Sequence, residues 1–260
     1  MGKVIAITNQ KGGVGKTTTA VNLSACLGAR GKRVLVIDID PQGNTSSGLG
    51  IDKRALTSSI YDVLINDVLM AEAIQKTAFE NLWICPANVH LAGAELELIA
   101  MSTREYRLKN ALACVRNSYD FVIIDCPPSL SLLTLNALTA TDTALVPIQC
   151  EYYALEGLSQ LTSTIKHIRK QLNTTLEIEG VLLTMFDART NLSIQVVEEV
   201  KKFFPKKTYA SVIPRNVRLS EAPSFGQPVI IYDAKSKGAE SYFDLADEVI
   251  EGNEEGKEWQ

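Results

Sequence analysis

The chain has 260 residues, 46% of them hydrophobic, which is enough for one large domain with a full core. Its formal net charge of −4 excludes a protein that binds nucleic acid through an overall positive charge. The five cysteines form no C-x-x-C pair and there are only two histidines, so a zinc or iron–sulfur site is not expected. We expect a cytosolic protein, because no signal peptide precedes the first strand and no apolar run reaches membrane-spanning length.

The first predicted elements are a strand, a glycine-rich turn and a helix. An apolar run at residues 4–7 leads into the turn at residues 9–19, and a helical pattern covers residues 18–27. This order is typical of a phosphate-binding P-loop, in which glycines let backbone N–H groups close around phosphate oxygens. Lys16 adds a positive charge, and the hydroxyl of Thr17 is expected to bind Mg²⁺.

After this unit, strand and helix patterns alternate along the chain. Apolar runs typical of buried parallel strands lie at residues 33–41, 82–86, 120–125, 143–148, 178–184 and 209–214. Helical patterns lie at residues 60–77, 95–115, 155–172, 193–204 and 238–250, and a Gly/Ser/Thr-rich loop lies at residues 42–57. The alternation predicts an α/β fold with a mostly parallel sheet and helices on both faces, as in P-loop NTPases. We expect residues 1–250 to form a single domain and the acidic residues 251–260 to be a disordered tail.

Three aspartates follow predicted strands, at the edge of the sheet where ligands bind in such folds. Asp125 ends an apolar strand, as the Mg²⁺-side aspartate of a P-loop NTPase does. Asp38 and Asp40 are two residues apart and therefore share a face of their strand. A cap or turn role is the alternative for such residues, and Asp38 is either structural or on the metal side. We expect Asp40 to position or deprotonate the attacking water.

These motifs resemble those of the ParA/MinD ATPases. Residues 11–17 are similar to that family's deviant Walker A box, and residues 38–44 and 124–128 are similar to its other two nucleotide motifs. The loop has Gln10 where the standard P-loop pattern has glycine, and Lys11 is an additional lysine at its front. Further segments similar to chromosomal ParA proteins of the bacillus type lie at residues 149–157, 187–191 and 214–223, and the likeness extends to about residue 250.

The resemblance implies an ATPase for chromosome or plasmid partitioning, with ATP and Mg²⁺ as cofactors. It implies an ATP-dependent homodimer on the nucleoid that binds double-stranded DNA nonspecifically and is stimulated by a ParB-type partner. The implied ATP-binding residues are Lys11, Gly12, Gly13, Val14, Gly15, Lys16, Thr17 and Thr18, with Pro214 and Asn216 near the adenine. The resemblance also implies that Lys11 reaches the ATP of the other subunit, as an arginine finger does, although neutralising phosphate in its own subunit is the alternative.

Positive charge is concentrated in one part of the chain. Residues 187–237 contain nine Lys/Arg and five Asp/Glu, so this segment carries +4 and the rest of the chain −8. A local basic face can bind phosphate even in an acidic protein. We predict DNA contacts at Arg189 and Arg218, which are expected in loops after strands, and no base-reading motif is present. A plain solvated helix face is the alternative for the nearby lysines Lys201, Lys202, Lys206 and Lys207.

Two other functions share this type of loop. A MinD-type membrane ATPase needs a basic amphipathic helix at its C-terminus, whereas this C-terminus is acidic. A small-molecule enzyme such as a dethiobiotin synthetase needs a substrate pocket, which the sequence does not reveal. The sequence therefore favours a DNA-partitioning ATPase without membrane binding.

Overall fold

The computed structural model describes residues 1–151 and 154–258. Tyr152 and Tyr153, in one of the resembling segments, and Trp259 and Gln260, at the end of the acidic tail, lie outside the described residues. Eight strands of the described chain form one sheet in the order β3-β4-β2-β5-β1-β6-β7-β8. They are β1 (Lys3–Ile7), β2 (Val34–Asp38), β3 (Gln75–Lys76), β4 (Leu82–Cys85), β5 (Phe121–Asp125), β6 (Thr143–Gln149), β7 (Glu177–Phe186) and β8 (Thr208–Pro214).

The sheet is parallel except at one edge, where β3 pairs antiparallel with β4. This confirms the predicted α/β class with a mostly parallel sheet. The helices of the described chain are α1 (Lys16–Ala29), α2 (Asn44–Gly48), α3 (Ile60–Ile65), α4 (Met70–Ala73), α5 (Leu91–Ile99), α6 (Arg107–Leu112), α7 (Leu132–Ala140), α8 (Ala154–Gln171), α9 (Asn191–Phe203), α10 (Val217–Glu221), α11 (Val229–Tyr232) and α12 (Lys237–Glu258). None of them is long and apolar enough to cross a membrane.

Helices cover both faces of the central strands, which explains why those strands are continuously apolar. In β5, Phe121 and Ile123 pack in the apolar layer under α1 and α12. Val122 and Ile124 pack in the opposite layer, with α5 to α9. Successive side chains of a strand point to opposite faces, so both sets must be hydrophobic.

Two predicted helices are wrong as single elements. Residues 60–77 form α3, α4 and β3, and Asp67 lies between the first two with a left-handed backbone at φ 57°. Residues 95–115 are divided between α5 and α6, with Thr103 between them at φ 52°. A left-handed residue cannot continue a right-handed helix, so the chain changes direction at both places.

Four helices, α2, α7, α10 and α11, were not predicted from the sequence. Three of them have only four or five residues, and α2 lies inside the predicted loop. α7 has nine residues, and Leu133, Ala137 and Leu138 are fully buried, as are polar residues between them. Apolar residues run through this helix without a clear polar face, so its sequence lacks the periodic pattern that identifies an amphipathic helix.

The last helix, α12, extends through the acidic segment to Glu258, and the disordered tail expected at residues 251–260 stays a prediction. Lys32 pairs with Glu254 at 3.0 Å, and Arg30 pairs with Asp247, about two helical turns earlier, at 2.7 Å. These exposed ion pairs connect the end of α12 to the turn after α1. The single domain over residues 1–250 stays a prediction.

Candidate nucleotide-binding site

The turn between β1 and α1 has a left-handed backbone at two glycines. Gly13 has φ 73° and Gly15 has φ 91°, conformations that residues with a Cβ rarely adopt. α1 begins at Lys16, and no side chain of the described residues caps it. Its first backbone N–H groups therefore lack intrahelical partners and face the turn, which is the arrangement that binds anions at helix N-termini.

Lys16 lies within the turn, with only 7% of its surface exposed. Its Nζ donates a hydrogen bond to the carbonyl oxygen of Lys11 at 3.0 Å. Burial lowers the pKa of the Lys16 ammonium, and the negative charge of Asp125 opposes that shift. A buried ammonium that bonds only to a backbone carbonyl is poised to gain from an anion in the turn.

Lys11 pairs within its own chain. Its Nζ lies 3.3 Å from Oε2 of Glu151, and its backbone N–H donates to Oδ1 of Asn9 at 3.0 Å. Both partners of the ion pair are partly exposed, so water screens the attraction. The lysine side chain can therefore leave Glu151 at small cost, and its contact with a second subunit stays a prediction.

Asp125 lies at the meeting point of three strands. It pairs in register with Ile7 of β1 and Asp38 of β2, so the carboxyl ends of β1, β2 and β5 lie side by side. Its Oδ2 accepts hydrogen bonds from the hydroxyls of Thr17, at 2.8 Å, and Thr45, at 2.7 Å. Its Oδ1 is buried and has no hydrogen-bond partner among the described residues.

Burial raises the pKa of Asp125, and the neighbouring charge of Asp38 raises it further. A fully buried carboxylate with an unpartnered oxygen is costly, and a cation beside it removes that cost. Carboxylate and hydroxyl oxygens are ligands that Mg²⁺ accepts. Thr17 and Asp125 therefore fit a magnesium site at the edge of the P-loop, as the sequence predicts.

Asp38 is fully buried and accepts hydrogen bonds from the loop and short helix that follow β2. Its Oδ2 accepts hydrogen bonds from the backbone N–H of Ser46, at 2.8 Å, and from the Ser46 hydroxyl, at 2.7 Å. Its Oδ1 accepts a longer bond from the N–H of Asp40, at 3.3 Å. Burial raises the pKa of Asp38, while the bonds from Ser46 lower it. Both oxygens are occupied by protein donors, which favours the structural alternative for Asp38.

Asp40 lies just beyond the end of β2 and is 9% exposed. Its Oδ1 accepts a hydrogen bond from the N–H of Gln42 at 2.9 Å. Among the charges that act on the Lys16 ammonium, those of Asp125 and Asp40 both favour its protonated form. The structure thus brings Lys16, Thr17, Asp40 and Asp125 to one edge of the sheet.

A cavity of about 540 Å³ adjoins the P-loop between the carboxyl ends of β7 and β8 and helix α10. Gly15 and Thr18 form its P-loop side, and Pro214 and Asn216 form part of the opposite wall. Asn216 also caps α10, because its Oδ1 accepts a hydrogen bond from the N–H of Arg218 at 2.8 Å. Pro214 and Asn216 therefore lie next to the P-loop, as the resemblance implies, and the contact with adenine stays a prediction.

The two arginines predicted to bind DNA are paired with carboxylates of their own chain. Arg189 is 87% exposed and donates to both oxygens of Asp187, at 2.9 and 2.7 Å. Arg218 contacts Glu221 at 2.9 Å and Asp233 at 3.1 Å. Arg218 lies in α10, so its predicted place in a loop is wrong, whereas Arg189 follows β7 in a loop.

Several residues that shape the site were not predicted. Thr45 and Ser46 hold Asp125 and Asp38 from the short helix α2. Thr184, at the end of β7, donates its hydroxyl to the carbonyl of Val14 at 2.9 Å and so braces the P-loop. The many Ser and Thr residues of the predicted loop at 42–57 are a sequence signal for such contacts, but they do not reveal which carboxylate each residue reaches.

Comparison with known proteins identifies the family. A family model described as an AAA domain matches residues 2–178. The sporulation initiation inhibitor protein Soj of Bacillus subtilis is 64% identical over 96% of this chain and 98% of its own length. The chromosome partitioning protein ParA of Myxococcus xanthus is 55% identical over 96% of this chain and 88% of its own length. The chain belongs to the ParA/MinD family of P-loop ATPases.

Solved structures of related proteins have the same fold. Cobyrinic acid a,c-diamide synthase from Mycobacterium smegmatis, with a bound ATP analogue and magnesium, is 40% identical and has a TM-score of 0.86 over 98% of this chain and 97% of its own. The septum site-determining protein MinD from Pyrococcus horikoshii, complexed with Mg-ADP, is 30% identical and has a TM-score of 0.81 over 96% of each chain. Both comparisons cover the sheet and its helices almost completely, which confirms the predicted P-loop NTPase-like architecture.

Proposed function

We propose that this protein is an ATP-dependent chromosome or plasmid partitioning ATPase. In this function the ATP-bound chain dimerises, binds double-stranded DNA without sequence preference on the nucleoid, and hydrolyses ATP when a ParB-type partner stimulates it. The observation that carries the proposal is the cluster of Lys16, Thr17, Asp40 and Asp125 around an uncapped helix N-terminus, in a chain 64% identical to Soj. The names of Soj and of the ParA relative support the partitioning role.

In the proposed reaction, the P-loop binds the phosphates of ATP. The N–H groups of the turn and of the first turn of α1 donate to phosphate oxygens, and Lys16 exchanges its bond with the Lys11 carbonyl for a phosphate. Thr17 and Asp125 hold Mg²⁺, which neutralises charge on the phosphates when bound. The adenine occupies the cavity lined by Pro214 and Asn216.

Asp40 positions the attacking water in this proposal. Its carboxylate is oriented by the N–H of Gln42 at 2.9 Å, and the residue is 9% exposed. Asp125 and Asp38 are less suited, because the first is bonded to Thr17 and Thr45 and the second to Ser46. A carboxylate that accepts a proton from water or fixes its orientation acts on the transition state rather than on ATP binding.

Lys11 supports an ATP-dependent dimer. The P-loop already has Lys16 for the phosphates, so the second lysine is in excess for one nucleotide. Its pairing with Glu151 is partly exposed and weak, and the phosphates of a partner subunit would attract it more strongly. Dimerisation would then place the basic segments of two chains side by side on DNA.

A second candidate function follows from the name of one structural relative. The cobyrinic acid a,c-diamide synthase is a small-molecule enzyme by its name and is 40% identical over nearly the whole chain. The partitioning function is favoured because relatives at 64% and 55% identity carry names from sporulation control and partitioning.

The test is an ATP turnover assay with Mg²⁺, with and without duplex DNA of arbitrary sequence and a ParB-type protein. The proposal expects slow turnover of ATP by the chain alone and faster turnover when both are present. A small-molecule enzyme would turn over ATP at a rate that neither addition changes. Absence of turnover under all conditions would contradict the ATPase assignment itself.

A further inference from the structure

The backbone turn formed by residues 40–43, named here the Asp40 turn, sets the direction of the Asp40 carboxylate. The N–H of Gln42 donates to Oδ1 of Asp40 at 2.9 Å, and the N–H of Gly43 donates to the Asp40 carbonyl at 2.9 Å. The carboxylate is therefore held by a donor of the same turn, and a rotation of the peptide units at Gln42 would move that donor. The position of Asp40 depends on what fixes this turn.

Lys53 fixes the turn from outside. Its Nζ donates to the carbonyl oxygen of Gln42 at 2.9 Å. Its methylene chain lies against Gly43, where an added Cβ would come within 2.8 Å of the Lys53 Cδ. Gly43 also has φ 63°, a backbone conformation that favours glycine. One side chain thus both packs on the Asp40 turn and hydrogen-bonds to it.

The same turn leads directly into the residues that hold the other two carboxylates. Gly43 is the N-cap residue of α2, and α2 carries Thr45 and Ser46. Their hydroxyls bond to Asp125 and Asp38 at 2.7 Å each. A side chain that restrains the turn therefore restrains the start of α2 as well.

A lysine with an ordinary surface role pairs with a carboxylate or extends into water. Among the described residues Lys53 makes no ion pair with an acidic side chain. Its ammonium donates a hydrogen bond to a backbone carbonyl instead. It lies in the wall of an open cleft of about 550 Å³ that also includes Pro41, Gln42 and Arg54. Arg54 lies in the same wall and its side chain makes no hydrogen bond within the described chain, which makes it a matched control.

We propose that Lys53 is a positioning residue for hydrolysis, which acts on Asp40 by fixing the Gln42–Gly43 peptide unit of the Asp40 turn. The proposal rests on the proposed function, because it assigns Asp40 to the attacking water. Lys53 touches neither the P-loop nor the cavity beside it, so ATP binding should not depend on it. Its loss should slow the chemical step and leave the affinity for ATP unchanged.

The test compares Lys53→Met, which keeps an aliphatic chain on Gly43 but cannot donate to Gln42, with Lys53→Arg and Arg54→Met. We expect Lys53→Met to lower kcat for Mg·ATP about three- to tenfold, the size of one partly exposed hydrogen bond, at unchanged KM. Lys53→Arg should restore at least half of the parental kcat, since it can donate to the same carbonyl. Arg54→Met should match the parent.

Amide hydrogen exchange of the peptide covering residues 40–48 is a second measurement, which does not depend on ATP turnover. Exchange should be faster in Lys53→Met than in the parent and in Arg54→Met. Parental kcat or parental exchange in Lys53→Met overturns the proposal, and so does a change confined to KM or melting temperature. If the parent itself does not hydrolyse ATP, the proposed function fails, whereas a parental rate in Lys53→Met with an active parent refutes only the role of Lys53.

Discussion

At the scale of single residues, the site concentrates charge where water is largely excluded. Asp38 and Asp125 are fully buried on adjacent strands, and Lys16 is nearly so. The carboxylates are stabilised by hydroxyls of Thr17, Thr45 and Ser46, and one oxygen of Asp125 is left without a protein donor. Such an arrangement gains from binding a cation and an anion together, which is what Mg·ATP supplies.

The first prediction concerns Lys16. Lys16→Ala should weaken ATP binding by roughly a hundredfold, because backbone N–H groups cannot replace a charge-assisted bond to the phosphates. Titration with a fluorescent ATP analogue measures this effect. Lys76→Ala, an exposed lysine of the edge strand β3, is the control and should bind as the parent does. Equal affinities in all three proteins would remove Lys16 from the phosphate site.

The second prediction concerns Asp40. Asp40→Ala should bind ATP and dimerise normally but hydrolyse ATP at least about a hundredfold more slowly, the usual contribution of a general base. Stimulated turnover and ATP affinity are measured on the same protein, with Asp244→Ala on the exposed face of α12 as the control. Hydrolysis by Asp40→Ala at the parental rate would transfer the role to Asp38 or Asp125.

At the scale of elements, the strand–turn–helix unit of β1 and α1 is the part that would contact the second subunit in the proposed dimer. An added Cβ at Gly12 has no atom of the described chain within 4 Å, and Gly12 is not among the glycines with positive φ. An added Cβ at this position therefore meets no obstacle within one subunit. We expect a defect of a variant here to come from contacts outside the chain.

The third prediction follows from this geometry. Gly12→Val should fold and bind ATP but stay monomeric, because the side chain would clash where two P-loops face each other. Sedimentation velocity with and without ATP reports the oligomeric state. Gly252→Val, at an exposed and equally open position of α12, should dimerise with ATP as the parent does. An ATP-bound dimer of Gly12→Val would contradict the proposed packing of the two subunits.

The secondary-structure elements also show how much of the fold can be predicted from the sequence alone. The seven parallel strands and the P-loop were predicted within a few residues, because buried parallel strands are continuously apolar and the glycine-rich turn has a specific pattern, whereas the short antiparallel β3 was not predicted. The divisions at Asp67 and Thr103 were missed, since left-handed backbone at non-glycine residues leaves little trace in the sequence. Helix α7 was missed because its burial on many sides removes the amphipathic period.

The candidate site was predicted in part for similar physical reasons. Asp40, Asp125 and Lys16 follow from strand ends and loop motifs, whose positions are local properties of the sequence. The contacts of Glu151 with Lys11 and of Lys53 with the Asp40 turn depend on how distant or irregular segments pack. The pairing of Arg218 with Glu221 and Asp233 likewise depends on the folding of α10 and α11, which sequence patterns did not reveal.

At the scale of the whole molecule, charge is divided between a basic segment and an acidic remainder. Residues 187–237 carry +4 within a chain of net charge −4. Arg189 and Arg218 are both paired in cis, so a phosphate must replace or share a carboxylate partner. One chain would therefore offer few and weakened phosphate contacts to DNA, and in the proposed ATP-dependent dimer the second contact would become intramolecular.

The fourth prediction concerns these arginines. Arg189→Ala and Arg218→Ala should each remove roughly one phosphate contact and lower the log–log salt slope of DNA binding by about 0.9. Arg33→Ala is the control, because Arg33 is also exposed and paired with a carboxylate, Asp120, but precedes β2, at the amino ends of the parallel strands. Parental slopes in both variants would place the DNA surface elsewhere, with Lys201 and Lys202 at the end of α9 as the next candidates.

The most direct test of the proposed function is the nucleotide dependence of DNA binding by the parent protein. Fluorescence anisotropy is measured on two unrelated duplexes over a salt series, with Mg²⁺ and a non-hydrolysable ATP analogue, with Mg·ADP, or without nucleotide. The ATP-dependent dimer predicts tight binding only with the analogue, at equal affinity for both duplexes and with a steep dependence on salt. Equal binding in all three nucleotide states, or a strong preference for one duplex, would contradict it.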